Sequence, residues 1–210
     1  MASPSVWATG SRATVPRRTA RTMAAMDDIV RKALAKWPNV PHCHGWLGLD
    51  ARGNWYLRDD RTQAAGPFPA EKGSLLQHDK LIDFIHRNYA ADDEGQWFFQ
   101  NGPQRVYVEL EAAPWTWRVG EDFGLVSHTG VAVGPVTSDA SATVLLDETG
   151  RLYVAAPLGL GLVHTQDVGL AAEAIEQGRW PAPQDVRAAE LPARFGHVLS
   201  PSARRAASGV

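Results

Sequence analysis

The chain has 210 residues, a single cysteine (Cys43) and no run approaching the roughly 20 apolar residues of a membrane helix, which excludes an internal disulfide framework and a transmembrane helix. A lone thiol reads as a reducing, cytoplasmic setting, and the length suffices for one domain or for two small ones sharing an interface. Four arginines (Arg12, Arg17, Arg18, Arg21) lie in residues 1–26 without an acid, and Arg204 and Arg205 lie near the C-terminus. This leaves 15 of the 21 basic residues against all 23 acids in the body, a charge of about −8 that repels duplex nucleic acid.

Residues 1–26 read as a disordered extension, with Met23 or Met26 as a natural beginning. Their Arg-, Ser- and Thr-rich, acid-free composition also resembles an organelle transit peptide. A first helix follows, capped by Asp27 or Asp28, with Ile29, Val30, Leu34 and Trp37 on one face and Pro38 as its stop. The segment PHCHG then gathers His42, Cys43 and His44, all potential metal ligands. In an extended chain His42 and His44 share a face and Cys43 points away, so a metal site would need a remote histidine, and a loop leading into Trp46 is the simpler reading.

One pattern recurs along the chain. LDARGNWYL (49–57), ADDEGQWFF (91–99) and LDETGRLYV (146–154) each place a glycine three residues after an aspartate and then two large apolar residues. Aspartate accepts backbone N–H bonds from residues further along a turn, and glycine takes the left-handed conformation that closes it, so each copy predicts a bulged β-hairpin. Between the first two copies lie a Pro- and Gly-rich loop, 59–73, and a helix predicted from Ser74 to Tyr89 by Leu75, Leu76, Leu81, Ile82, Phe84 and Ile85. That helix weakens the second copy, which lacks a clear leading strand.

Beyond it, Val106, Val108 and Leu110 alternate with Arg105, Tyr107, Glu109 and Glu111, as a strand with one buried face does. Trp115–Val119 and Phe123–Ser127 flank GEDFG as a further hairpin, and the third copy pairs Thr143–Leu146 with Leu152–Ala155. Gly159 and Gly161 of GLGLVH read as loop residues before a helix that starts near Thr165 or Asp167 and ends at Gly178. The predicted fold is α+β: two related halves of antiparallel hairpins, each packed with helix, at residues 27–112 and 113–196, with a disordered tail at 197–210.

The Asp-x-x-Gly-x-Trp hairpins, the Leu-rich helix and the strand end VELEAAPW (108–115) resemble small proteobacterial families of unknown function. That resemblance implies two related α+β halves, a second half like a partial pleckstrin-homology barrel, a ligand site between the halves and a signalling role. The loop 59–73 departs from the pattern, so site positions do not transfer.

For function, Trp97 and Trp115 with Gln104 and Arg105 at the rim suggest an aromatic pocket that stacks on a planar, nucleotide-like ligand. His164 precedes a helix N-terminus that suits an anion. The leading expectation is therefore a non-catalytic regulatory protein that binds a small molecule between its halves. The alternatives are a metal-dependent hydrolase using His42, Cys43 or His44, and an interaction module with a flat apolar patch and no pocket. The sequence implies no particular cofactor and fixes no oligomeric state.

Overall fold

A computed structural model describes residues 28–37, 39–136 and 142–209. The expected extension at 1–26, Asp27 and Pro38 fall outside them. Helix α1 (Asp28–Lys36) carries Asp28 in its first turn and Lys36 in its last, the charge order that a helix dipole favours.

Two sheets follow. The first joins β1 (Cys43–Leu49), β2 (Trp55–Leu57), β3 (Ser74–Leu75), β4 (Tyr89–Ala91), β5 (Trp97–Asn101) and β6 (Gln104–Leu110) in the order β3-β2-β1-β6-β5-β4. The second joins β7 (Trp115–Val119), β8 (Gly124–Ser127), β9 (Ala132–Pro135), β10 (Thr143–Asp147), β11 (Leu152–Ala156), β12 (Gly159–Val163) and β13 (Gln184–Val186). Its order is β13-β10-β11-β12-β7-β8-β9, an open sheet rather than a closed barrel.

The two sheets share one plan. In each, two three-stranded meanders meet through a parallel pair, β1 with β6 and β7 with β12, and the second sheet adds β13 beyond β10. Equivalent corners fall at equivalent places: β4–β5 turns at Asp92 and β10–β11 at Asp147. The fold is therefore two related α+β halves whose largest apolar cluster is continuous across both sheets, from Leu47, Trp55 and Tyr89 to Trp115, Trp117 and Val154.

All three aspartate corners close identically. The aspartate N–H donates to the carbonyl four residues on, the glycine N–H returns to the aspartate carbonyl, and Gly53, Gly95 and Gly150 sit at φ 82°, 77° and 81°. Each carboxylate accepts two backbone N–H groups, from Arg52 and Asn54, Glu94 and Gln96, Thr149 and Arg151. A tyrosine hydroxyl completes each: Tyr56 to Asp50, Tyr107 to Asp92 and Tyr153 to Asp147. In the second corner the residue six places on is Phe98, and Tyr107 reaches in from the paired position on β6. The same backbone ring recurs at Ser127–Val131 and at Gly120–Gly124, where Phe123 takes the left-handed place at φ 59°.

Several elements differ from expectation. The helix predicted over Ser74–Tyr89 is shorter, α3 (Asp79–Arg87), because Ser74 and Leu75 pair with Leu57 and Tyr56 and His78 caps the helix through Leu81 N–H. Tyr89 instead opens strand β4, which gives the second corner its full hairpin. The loop 59–73 contains helix α2 (Asp60–Ala65), capped by Asp59. Gly159 and Gly161 belong to β12, where the tryptophans of β7 lie against them. A 3₁₀ turn (Thr165–Asp167) leads into α4 (Val168–Glu176), close to the expected start.

Residues 197–209, expected as disordered tail, are built into the molecule. After α5 (Leu191–Phe195), Val198 N–H donates to Gly95 and Leu110 N–H to Leu199, and α6 (Pro201–Ser208) then lies along β6 and β1. The physical reason is Glu109, 2% exposed on β6, whose carboxylate accepts the Ser200 hydroxyl at 2.5 Å and the Ser202 N–H at 3.0 Å. An acid at a helix N-terminus satisfies donors that are otherwise unpaired.

A Cβ at Gly161 would stand 2.3 Å from the Trp117 indole nitrogen, and Trp117 is fully buried. Gly161→Ala is expected to lower unfolding free energy by about 1–3 kcal/mol through overpacking. Gly169→Ala, on α4 with open space around it, is expected to be neutral or stabilising by up to about 1 kcal/mol. Urea midpoints of the two variants check the contrast.

Candidate functional site

The first and third corners approach each other at the junction of the two halves and bound a cavity of about 250 Å³. Asp50 and Arg52 come from the corner after β1, Gly150 and Arg151 from the corner before β11. Lys72 and Glu111 join them, and Leu152, Leu162, Val163 and Val168 add apolar lining. The first corner is seated firmly, since a Cβ on Gly53 would come within 2.8 Å of His128 in the other half.

Lys72 owes its place to Arg58. That buried guanidinium donates to the carbonyls of Glu71 (3.0 Å), Gly45 (3.1 Å) and Gly66 (2.6 Å), so it gathers the loop whose last residues are Lys72 and Gly73. Phe68 of the same loop lies over Gly48, where a Cβ would meet the ring at 2.6 Å. Lys72 then donates to Glu111 at 2.7 Å and stands 3.6 Å from Asp50. Burial works against the Lys72 charge, but the Glu111 hydrogen bond and the charges of Glu111 and Asp50 together outweigh it and hold the ammonium above its usual range. Burial likewise opposes ionisation of Asp147, but its hydrogen bonds, led by Arg151 N–H, hold the carboxyl below the usual range.

His164, which precedes the 3₁₀ turn, accepts the Gln166 N–H, and its neighbours Val163 and Thr165 line the cavity. Burial lowers its pKa, and the Arg118 guanidinium adds to the effect. Arg118 is itself paired with Asp167 at 2.5 Å, a link from β7 to the start of α4 that fixes the turn beside the cavity.

The other expected ligand residues lie elsewhere. Trp97 and Trp115 do meet, with ring centroids 5.1 Å apart, but within the core between the sheets. Arg105 stacks on Phe98, which faces the other side of the first sheet, and Gln104 donates to the Pro41 carbonyl. The structure therefore places Gln104 and Arg105 apart from the tryptophan pair. His42 and His44 both rest on Tyr107, at centroid distances of 5.9 Å and 4.5 Å, and Cys43 pairs with Val106. Among the described residues no group of three or more potential ligands converges on one point, and no helix is long and apolar enough to cross a membrane.

A second feature lies where the halves pack. His128 sits 5.7 Å from Trp55, 5.8 Å from Tyr89, 5.7 Å from Trp115 and 5.7 Å from His86. Its Nδ1 accepts the Thr116 N–H, and its Nε2 is sealed from solvent without a hydrogen bond. His86 accepts the Trp55 indole N–H at 3.0 Å. Burial drives His128 down to about 3, with the neighbouring His86 adding to the effect.

What these features define is an α+β protein of two like halves with a small, charged-rim cavity at their junction. The model described as "Protein of unknown function (DUF2946)" matches residues 26–202, and the chain belongs to that family. Two solved structures are similar to it, both of DUF1285 family proteins. One, from Silicibacter pomeroyi DSS-3, is 14% identical with a TM-score of 0.45 over 64% of this chain and 72% of that one. The other, from Shewanella baltica OS155, is 13% identical with a TM-score of 0.42 over 64% of this chain and 95% of that one. No curated protein matches the chain.

Because the folded His128 is depressed from 6.5 to about 3, its contribution to stability is complete above pH 6.5 and is lost as pH falls towards 3. Between pH 6.5 and pH 5 this amounts to roughly 2 kcal/mol. His128→Gln, which keeps an acceptor for Thr116 but cannot titrate, is expected to show a shallower fall in melting temperature over that interval than the native chain.

Proposed function

We propose that the protein is a non-catalytic binding protein with a regulatory role, and that it holds a small molecule in the cavity between its halves. The observation that carries this reading is the cavity itself: apolar lining from the second half together with charged side chains from both. Concave sites with a few convergent polar groups are where proteins bind small molecules. The carboxylates and the lysine there are tied into turns and ion pairs, with Asp50 accepting from its own corner and Lys72 bonded to Glu111, so none is presented as a nucleophile with an adjacent base.

At about 250 Å³ the cavity lies below the roughly 300–1,000 Å³ of sites for drug-sized ligands. This supports a compact metabolite over the nucleotide expected from the tryptophans. A signalling role fits a ligand held between two halves, whose packing its occupancy would stabilise.

A thermal-shift screen of small metabolites tests the reading, with Val168→Trp as the blocking variant. Val168 is 38% exposed at the first position of α4, so an indole there fills the cavity without entering the core. A compound present at about 100 times its Kd is expected to stabilise the native chain by roughly 2.7 kcal/mol, to leave Val168→Trp unmoved and to be recovered chemically unchanged. A shift of equal size in both proteins places the ligand elsewhere and overturns the reading.

A further inference from the structure

We infer that the ligand is an amphipathic monoanion, a short-chain carboxylate, whose head group is clasped by Arg52 and Arg151 and whose chain lies on Leu152, Leu162 and Val168. This rests on the cavity reading above and adds the chemistry of the occupant. Most of the charges around the cavity are already spent.

Asp50 is spent: its carboxylate takes the N–H groups of Arg52 and Asn54, the Asn54 amide and the Tyr56 hydroxyl. Glu111 and Lys72 neutralise each other at 2.7 Å, and Glu111 also accepts the Ala51 N–H at 3.3 Å. Two cations are left. The Arg52 guanidinium makes no hydrogen bond or ion pair to any described residue and is felt at the cavity edge by His164. Arg151 approaches Glu111 at 3.9 Å and bonds the Tyr153 hydroxyl, but its side chain is 45% exposed, which leaves guanidinium donors facing solvent.

The lining therefore carries one net positive charge, from Arg52, Lys72 and Arg151 against Asp50 and Glu111. A cationic ligand would find both carboxylates occupied, and a neutral one would leave the Arg52 guanidinium unpaired among the described residues and Arg151 with only its long approach to Glu111 and the Tyr153 hydroxyl. A guanidinium presents parallel donors matched to the two oxygens of a carboxylate. The apolar lining adds the second requirement, because Leu152, Leu162 and Val168 bring no hydrogen-bonding side-chain atom to the cavity. A bare inorganic anion would leave that lining facing water, whereas each methylene buried on it gains about 0.8 kcal/mol. Both arginines belong to the repeated corner, Arg52 two residues after Asp50 and Arg151 four after Asp147, and both line the cavity.

Calorimetric titration of the full chain with hexanoate, hexanamide, hexylamine and inorganic phosphate tests the inference, using the native chain, Arg52→Ala, Arg151→Ala and Val168→Trp. Both arginines are at the surface, and unchanged urea midpoints are expected to confirm that the variants fold. Hexanoate is expected to bind at least tenfold more tightly than the other three probes, each arginine variant to weaken it at least tenfold, and added salt to weaken it in the native chain. Hexanamide binding as well as hexanoate, or phosphate alone binding, overturns the anionic amphipath while leaving the cavity reading intact. Hexanoate binding undiminished in Val168→Trp overturns the cavity reading as well, and no binding by any probe overturns the assignment of ligand class.

Discussion

An aspartate carboxylate that accepts two backbone N–H groups across a four-residue turn is the contact on which this architecture depends. It satisfies donors that a tight turn would otherwise leave unpaired. It also sets the register of the hairpin, so that the first apolar residue after the glycine, Trp55, Trp97 or Leu152, faces the main core. Each such carboxylate is anchored from a second direction by a tyrosine hydroxyl, which ties the corner to the sheet. Between the halves the tyrosine changes strand: Phe98 with Tyr107 in one sheet answers Tyr153 with Leu162 in the other. The hydroxyl still reaches the same carboxylate, which is what a duplicated plan under a common constraint would preserve.

From the corners the rest of the molecule is assembled by close contact. Gly53 allows the first corner to lie against His128, and Gly161 allows β12 to lie under Trp117. Tyr89 crosses the junction to donate to the Pro114 carbonyl at 3.0 Å while its ring packs on Trp115. The C-terminal strap returns from the second sheet to cover Glu109 on the first. The cavity lies between the first and third corners, and an arginine of each lines it.

Much of this was legible in the residues. The aspartate–glycine spacing predicted three hairpins, and GEDFG predicted a fourth. The Ser127–Val131 corner escaped notice because serine stands where the pattern has aspartate, although its hydroxyl accepts the Val131 N–H in the same manner. Leu75 followed helical spacing by accident and is an edge-strand residue, since pairing with Tyr56 was a tertiary fact that periodicity could not contain. Glu109 looked like an outward-facing acid because nothing local reveals that α6 covers it. The cavity arginines were harder still. They occupy positions that a turn leaves free, and only the meeting of two corners distant in sequence turns them into a site. A basic residue inside two of the three copies was the available signal.

Backbone amide resonances, followed while hexanoate is titrated into the ¹⁵N-labelled full chain, report whether the two corners form one binding site. Amides of residues 51–54 and 150–152 are expected to shift together along one saturating curve, with those of 97, 104 and 105 still. Saturating shifts confined to one corner, or centred on Trp97 and Arg105, would contradict a shared site.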